Sequence, residues 1–235
     1  MMKFSDLNDN TIVLICARGG SKGITNKNLI KIKKKSLLSI CIMKVKKLKF
    51  KNICLSTDDK KIANEGKKLG VRWFFKRSKK LSSSNVSKLA VWKDSIRKSE
   101  KHFGKKFKFM LDIDVSNPLA DDKDLKKFIN KFKKSYKNFD GLFCCSKSWK
   151  NPYFNILEKK NGKFVTTKYS KRITSRQKAP ITYDHIAAFY YFKVRYILKS
   201  NYLFEGKLDK YDLPFYKSID IDDNNDYEMV KKLAQ

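Results

Sequence analysis

Arginine is scarce here. Of the 55 basic residues only Arg18, Arg72, Arg77, Arg97, Arg172, Arg176 and Arg195 carry a guanidinium, and the remainder are lysine. Long apolar runs are absent too. The longest, residues 11–17 and 187–192, have the length of a strand and exclude a membrane-spanning helix. Five cysteines (Cys16, Cys41, Cys54, Cys144, Cys145) show no metal-ligand spacing, and four lie inside hydrophobic runs. They read as buried free thiols of a reducing, cytoplasmic location. Adjacent Cys144 and Cys145 on a strand point to opposite faces and do not pair. No internal repeat or low-complexity linker divides residues 1–235, so a single domain is expected, long enough for a proper core.

Acidic residues are also few, 23 against 55 basic, for a net charge of +32. Such a charge attracts polyanions. The lysines, however, are scattered over every predicted helix face and loop, without a stripe or a nucleic-acid motif. Their abundance together with asparagine and isoleucine is what drift toward AT-rich codons produces. Weak, salt-sensitive polyanion binding is expected, and no specific nucleic-acid partner. In a chain so ready to use lysine, a retained arginine marks a place where a planar fork matters. Arg18, Arg77, Arg172 and Arg176 all fall beside the motifs below.

The order of elements is read from periodicity and caps. Apolar residues at helical spacing over 37–48 follow Ser36 as a cap. A short strand over 52–56 leads to a helix over 60–69, capped by Thr57 or Asp58 and stopped at Gly70. A strand over 71–75, a helix over 85–103 capped by Ser84 or Asn85, a strand over 107–112 and a helix over 121–132 follow. This alternation predicts an α/β fold, a mainly parallel, doubly wound sheet. The rhythm breaks between about 147 and 180, where Asn161-Gly162 between short apolar pieces signals a hairpin projecting from the body. The sheet resumes over 186–193, a last strand is expected over 216–222, and a helix over 224–233 ends the chain.

Three stretches carry chemistry. Ile12-Val13-Leu14-Ile15-Cys16 runs into Ala17-Arg18-Gly19-Gly20-Ser21-Lys22-Gly23, then Lys27-Asn28. Glycines let backbone N–H groups approach a ligand, and the cations supply charge, so the loop reads as a phosphate cradle at a strand's carboxyl end. It is neither a Walker motif nor G-x-G-x-x-G. Ser218-Ile219-Asp220-Ile221-Asp222 is the second. On a strand both carboxylates share one face, where they repel unless a cation sits between them; Mg²⁺ prefers such oxygen ligands. Capping of the next helix by Asp222 or Asp223 is the plainer alternative. The third is Leu111-Asp112-Ile113-Asp114-Val115-Ser116-Asn117-Pro118-Leu119, a strand entering an irregular loop; Asp112 and Asp114 alternate as well, a possible second metal pair.

These motifs, in this order, resemble the CMP-sialic acid synthetases (acylneuraminate cytidylyltransferases), with Tyr183, Asp184 and Ala187 siding with the legionaminic acid branch. The resemblance implies a Rossmann-like nucleotide-diphospho-sugar transferase fold. It also implies a projecting β-hairpin dimerisation arm at about 147–180, and thus a homodimer. The implied reaction transfers CMP from CTP to the anomeric hydroxyl of a nine-carbon 2-keto sugar acid; a cytidylyltransferase for another acidic sugar such as Kdo is the alternative, or a nucleotide-binding paralogue without turnover. Arg18, Lys22, Lys27, Asp220 and Asp222 would be catalytic, and the two aspartates would hold Mg²⁺. Nucleotide binding would fall to Ala17, Arg18, Gly19, Gly20, Ser21, Lys27, Asn28, Arg77, Ser116, Asn117 and Pro118. Asp114, Arg176, Gln177, Tyr183 and Tyr190 would hold the sugar. The chain departs from the family pattern at Ser84, Ala120 and Ile186. His185 reads as a base or, more plainly, as a structural residue.

Overall fold

The computed structural model describes residues 3–234. A short helix α1 (Phe4–Asp9) precedes β1 (Thr11–Cys16), a small ribbon β2 (Lys31–Ile32) and β3 (Lys35–Ser36), then α2 (Leu37–Lys47), β4 (Ile53–Thr57), α3 (Lys60–Lys68) and β5 (Trp73–Lys76). One helical turn, α4 (Lys79–Ser82), leads to α5 (Lys88–Phe103), β6 (Phe109–Ile113), α6 (Asp122–Ser135) and β7 (Gly141–Lys147). The hairpin β8 (Leu157–Lys160) and β9 (Lys163–Thr166) follows, then β10 (Tyr183–Lys193), α7 (Val194–Lys199), β11 (Leu208–Asp212) and α8 (Asn224–Leu233).

Seven strands form one sheet in the order β11-β7-β10-β6-β1-β4-β5. Only β10 runs antiparallel to its neighbours, so the mainly parallel, doubly wound reading holds. Strand alternation sends Val13, Ile15, Leu111 and Ile113 to a face covered by Leu38 and Ile42 of α2 and Phe128 and Phe132 of α6. It sends Ile12, Leu14, Met110 and Phe192 to the other, under Trp92 and Ile96 of α5. Each such side chain contributes about 1.5–3 kcal/mol when fully buried. Strands β1, β4 and β5 add in one direction, and β6 returns to the far side of β1. This reversal opens a crevice at the carboxyl ends of β1 and β6, where the glycine-rich loop and the loop after Asp114 emerge.

The hairpin forms at Asn161-Gly162, both in the left-handed region (φ 49° and 79°), the geometry of a tight two-residue turn. Trp149, Leu157, Phe164 and Tyr169 remain exposed in this segment. All five cysteines are free; Cys144 and Cys145 are buried, and Cys16 is half-buried.

Three expectations are corrected. Residues 216–222 form no strand: a single 3-10 turn (Phe215–Lys217) follows Pro214, and the sheet's edge is β11, whose charged Leu-Asp-Lys-Tyr-Asp sequence lacks an apolar run. Helix α5 begins later than expected, with Ser87 as its cap, accepting from Ala90 N. Ser84 Oγ instead donates to Asn85 Oδ1 at the surface. Similarly Asp59, not Asp58 or Thr57, caps α3.

Ser36 behaves as expected: its Oγ accepts from Ser39 N at 3.0 Å and donates to Glu65 Oε1 at 3.1 Å, capping α2 and tying it to α3. Ser36→Ala is expected to lower unfolding free energy by about 1–2 kcal/mol at an unchanged urea m-value. An unshifted urea midpoint would show that the cap contributes nothing.

Candidate functional site

Three loops meet at the crevice. The first leaves β1 at Ala17, whose N–H donates to Ser56 O at 3.0 Å. Gly19 N donates to Asp58 Oδ1 at 2.9 Å, and Asn28 Nδ2 donates to Arg18 O at 2.8 Å, so both ends of the loop are pinned. Gly20 and Lys22 are exposed, Arg18 and Ser21 half-buried. Among the described residues the Arg18 side chain has no hydrogen bond or ion pair, which leaves its fork open to a ligand.

The second loop follows β6. Asp114 Oδ1 accepts from Ser116 N (2.9 Å) and Ser116 Oγ (2.6 Å), folding the chain back on itself. Asn117 is 1% exposed. Its Nδ2 donates to Lys217 O (3.2 Å) and Ile219 O (3.4 Å), and its Oδ1 accepts from Ala120 N (3.1 Å). Its own carbonyl accepts from the buried Lys44 ammonium at 3.1 Å. The third loop carries Asp220 and Asp222 and is fastened to the second by Ile221 N donating to Ser116 O at 2.9 Å.

The first loop also docks on the third. Lys27 Nζ donates to Ile221 O at 2.7 Å and pairs with Asp222 Oδ1 at 3.0 Å. Gly23 allows the approach: a Cβ there would lie 1.9 Å from Asp222 O.

The two C-terminal carboxylates are not equivalent. Asp222 is exposed and Lys27 neutralises one of its oxygens, while Ile221 between them is fully buried. Asp220 is turned inward, and its Oδ1 is closed to solvent without a hydrogen-bond partner. Burial, then the Asp114 charge, pushes Asp220 up to about 6, against the pull of Asn117 and Lys88. A shielded, unpartnered carboxylate oxygen beside other carboxylates is costly unless a cation or proton meets it. Among the described residues no group of three His, Cys, Asp or Glu side chains could hold a metal ion. Asp220 and Asp222 are oxygen donors of the kind Mg²⁺ takes together with water and phosphate oxygens, but one is turned inward and the other is exposed and paired with Lys27.

Several sequence-predicted residues serve differently from expectation. Asn117 is buried with its carboxamide spent on backbone groups, and buried Asn28 gives its Nδ2 to Arg18 O, so both side chains shape the loops. Arg77 is buried, its Nε donating to Ser56 Oγ (3.0 Å) and its terminal nitrogen to Ser56 O (2.8 Å), which steadies the end of β4. Tyr190, expected to face the sugar, is 1% exposed, because its strand position lies under α5 rather than at the sheet's rim. Arg176, Gln177 and Tyr183 are exposed on or beside the projecting segment; none shares a described contact with the three loops. Ala120 and Ile186 are core residues. His185 packs its ring against Phe143, Tyr190 and Phe204 (5.8, 5.4 and 5.1 Å) and is held below its ordinary range by burial, which fits the structural reading.

Lys44 and Lys88 were not singled out by sequence reasoning. Lys88 Nζ lies 2.9 Å from Asp112 Oδ2 and 2.6 Å from Asp114 Oδ2. Nothing local distinguishes either lysine from its many neighbours; only the fold does.

A cytidylyltransferase family model matches residues 12–235. The chain is 36% identical over 222 residues to the post-translational flagellin modification protein B of Campylobacter coli, covering 94% of this chain and 93% of that protein. It is 37% identical over 220 residues to the CMP-N,N'-diacetyllegionaminic acid synthase of Campylobacter jejuni, covering 93% and 92%. The fold is similar to a CMP:2-keto-3-deoxy-manno-octonic acid synthetase structure complexed with CTP (TM-score 0.65, 12% identity, 95% of this chain and 98% of that one). A 4-diphosphocytidyl-2C-methyl-D-erythritol synthase is comparably similar (TM-score 0.67, 11% identity, 96% and 98%).

Burial pushes Lys44 down to about 8. The folded chain then releases this proton at a pH where the unfolded chain still holds it, so folding is penalised below pH 8 and the penalty lifts as pH rises. Relative to wild type, Lys44→Met is therefore expected to be more stable at pH 7 than at pH 10, by about 2–3 kcal/mol. Urea unfolding at the two pH values checks this, and a pH-independent difference would place the ammonium in water.

Proposed function

Because the chain belongs to the cytidylyltransferase family, we propose that it transfers CMP from CTP to the anomeric hydroxyl of a nonulosonic acid of the sialic or legionaminic type, releasing pyrophosphate. The observation that carries this reading is the meeting of an open cationic loop and a half-buried carboxylate, one of whose oxygens is shielded and unpartnered, at the switch point between β1 and β6. The acceptor hydroxyl attacks the α-phosphorus in line, the bond to the bridging oxygen breaks, and pyrophosphate leaves. Such transfer depends on alignment and charge neutralisation more than on covalent help from the protein.

Arg18, Ser21 and Lys22, with the backbone N–H of Gly20, face the phosphates, while the Gly19 N–H is held by Asp58. Lys27 adds charge from its post beside Asp222. The backbone around Ser116 and Pro118 holds the cytidine, since the Asn117 carboxamide is spent within the loops. Asp220 and Asp222 hold Mg²⁺, which supplies neutralisation of the phosphate oxygens when bound. Asp114 stands between this pair and the acceptor. The subunit works as a homodimer through the segment of residues 147–180, whose Trp149 (79% exposed) and Phe164 (72% exposed) a lone two-stranded hairpin cannot bury. Arg172, Arg176 and Gln177 then lie near a site of the dimer and face the sugar carboxylate.

Purified protein with CTP, Mg²⁺ and a panel of sugar acids is expected to release pyrophosphate with nine-carbon acids and not with the eight-carbon Kdo. Arg18→Ala should weaken CTP binding with little change in melting temperature, with partial rescue by Arg18→Lys. Asp220→Asn should lower turnover by ~10²-fold or more while the fold persists. Stabilisation by CTP and Mg²⁺ without turnover on any acid would overturn the enzymatic reading.

Light scattering is expected to give a dimer, and Phe164→Lys with Trp149→Lys a folded monomer. A wild-type monomer would remove the arm's proposed role.

A further inference from the structure

Lys88 is the first residue of α5, set there by the Ser87 cap. Its ammonium lies between two carboxylates of β6 and its exit, 2.9 Å from Asp112 Oδ2 and 2.6 Å from Asp114 Oδ2. The Tyr190 ring lies 4.4 Å from it and the Trp92 ring 5.6 Å, so two aromatic faces complete the enclosure. Asp112 is wholly buried at the centre of the sheet, and among the described residues its oxygens accept no hydrogen bond within geometric limits. Lys88 is thus the one cation paired with it. An isolated carboxylate in such a place costs several kcal/mol.

Asp114 divides its two oxygens: Oδ1 accepts from Ser116, and Oδ2 takes the ammonium. The alternating Asp112 and Asp114, which by spacing alone suit a metal, are already supplied with a cation by the chain. Asp220 is not. Its Oδ1 has no hydrogen-bond partner, and besides burial it feels the Asp114 charge, the Asn117 amide, the same Lys88 and the Asp222 charge, in that order.

We propose that Lys88 is a positioning residue standing in for a second divalent cation. It fills the place between Asp112 and Asp114, fixes the loop that Asp114 begins, and leaves Asp220 and Asp222 to take a single ion. This inference rests on the reading of Asp220 and Asp222 as the divalent site.

The test is a titration with Mn²⁺ alone, a hard, oxygen-seeking ion whose free form is counted by electron paramagnetic resonance. Wild type is expected to bind one ion per chain, Lys88→Arg one, and Lys88→Met two, because the emptied pair now attracts a cation. Asp220→Asn is expected to bind none. In turnover, Lys88→Met should lower kcat about tenfold or more, with Lys88→Arg restoring part of it. Two ions on wild type, or one on a folded Lys88→Met, would overturn the role of Lys88. Should Lys88→Met fail to fold by circular dichroism, the wild-type and Lys88→Arg counts decide alone: one ion on each supports the proposal and two on either refutes it. A count of one that survives Asp220→Asn would overturn the underlying metal reading instead, and the proposal with it.

Discussion

Asn117 is the knot on which the crevice depends. One carboxamide spans the loop after β6 and the segment before Asp220, through the carbonyls of Lys217 and Ile219 and the N–H of Ala120. A buried amide that satisfies its donors and acceptor on backbone groups fixes both segments at once, since losing any partner exposes a polar group to an apolar surround. The Lys44 ammonium underneath, and Ser116 beside, tighten the same crossing. The glycine loop then has a firm surface to dock on, and Gly23 and Lys27 use it. The relative position of cations and carboxylates is therefore set by polar contacts within the protein, before any substrate arrives.

The electrostatic centre is opposite in sign to the rest of the molecule. A chain of net charge +32 keeps Asp112, Asp114 and Asp220 together beneath the ends of its strands. One internal lysine compensates two of them. Around this core stand Arg18, Lys22 and Lys27, so a polyanionic nucleotide meets attraction at the rim and a demand for a cation at the floor. In the proposed reading the two requirements are met together by a nucleoside triphosphate that arrives with its divalent ion.

Much of the fold was legible because its signals are local. Ser36 before a helical pattern, Gly70 after one, Asn161-Gly162 between short runs and the 224–233 helix all read correctly from neighbours in sequence. The failures have a common cause, which is that the deciding partners are distant. Ile219-Asp220-Ile221-Asp222 alternates like a strand, but no strand lies beside it, and Asn117 holds it instead. Strand β11 has little apolar pattern and exists through pairing with β7. Ser84, Asn85 and Ser87 are all competent caps; the register that puts Leu89, Trp92 and Ile96 into the core selects Ser87. In the site the glycine loop, Asp220 and Asp222 were visible as residue types at a spacing. Whether a side chain such as Asn28, Asn117 or Tyr190 faces outward or inward was not, because that depends on which element covers it.

The place of β6 bears on how the chain is made. Its neighbours are β1, nearly a hundred residues earlier, and β10, some seventy later. During synthesis the chain can assemble β5-β4-β1-β6 while β6 still has one unpaired edge, and β7 has no neighbour until β10 emerges. Through that interval a largely apolar strand presents open backbone groups, the condition under which nascent chains associate wrongly. The dense lysine cover gains a second use there: like-charged chains repel one another while the edge stands open. Insertion of the long β10 then joins β6 to β7, a late and cooperative step that leaves only β11 to add at the edge.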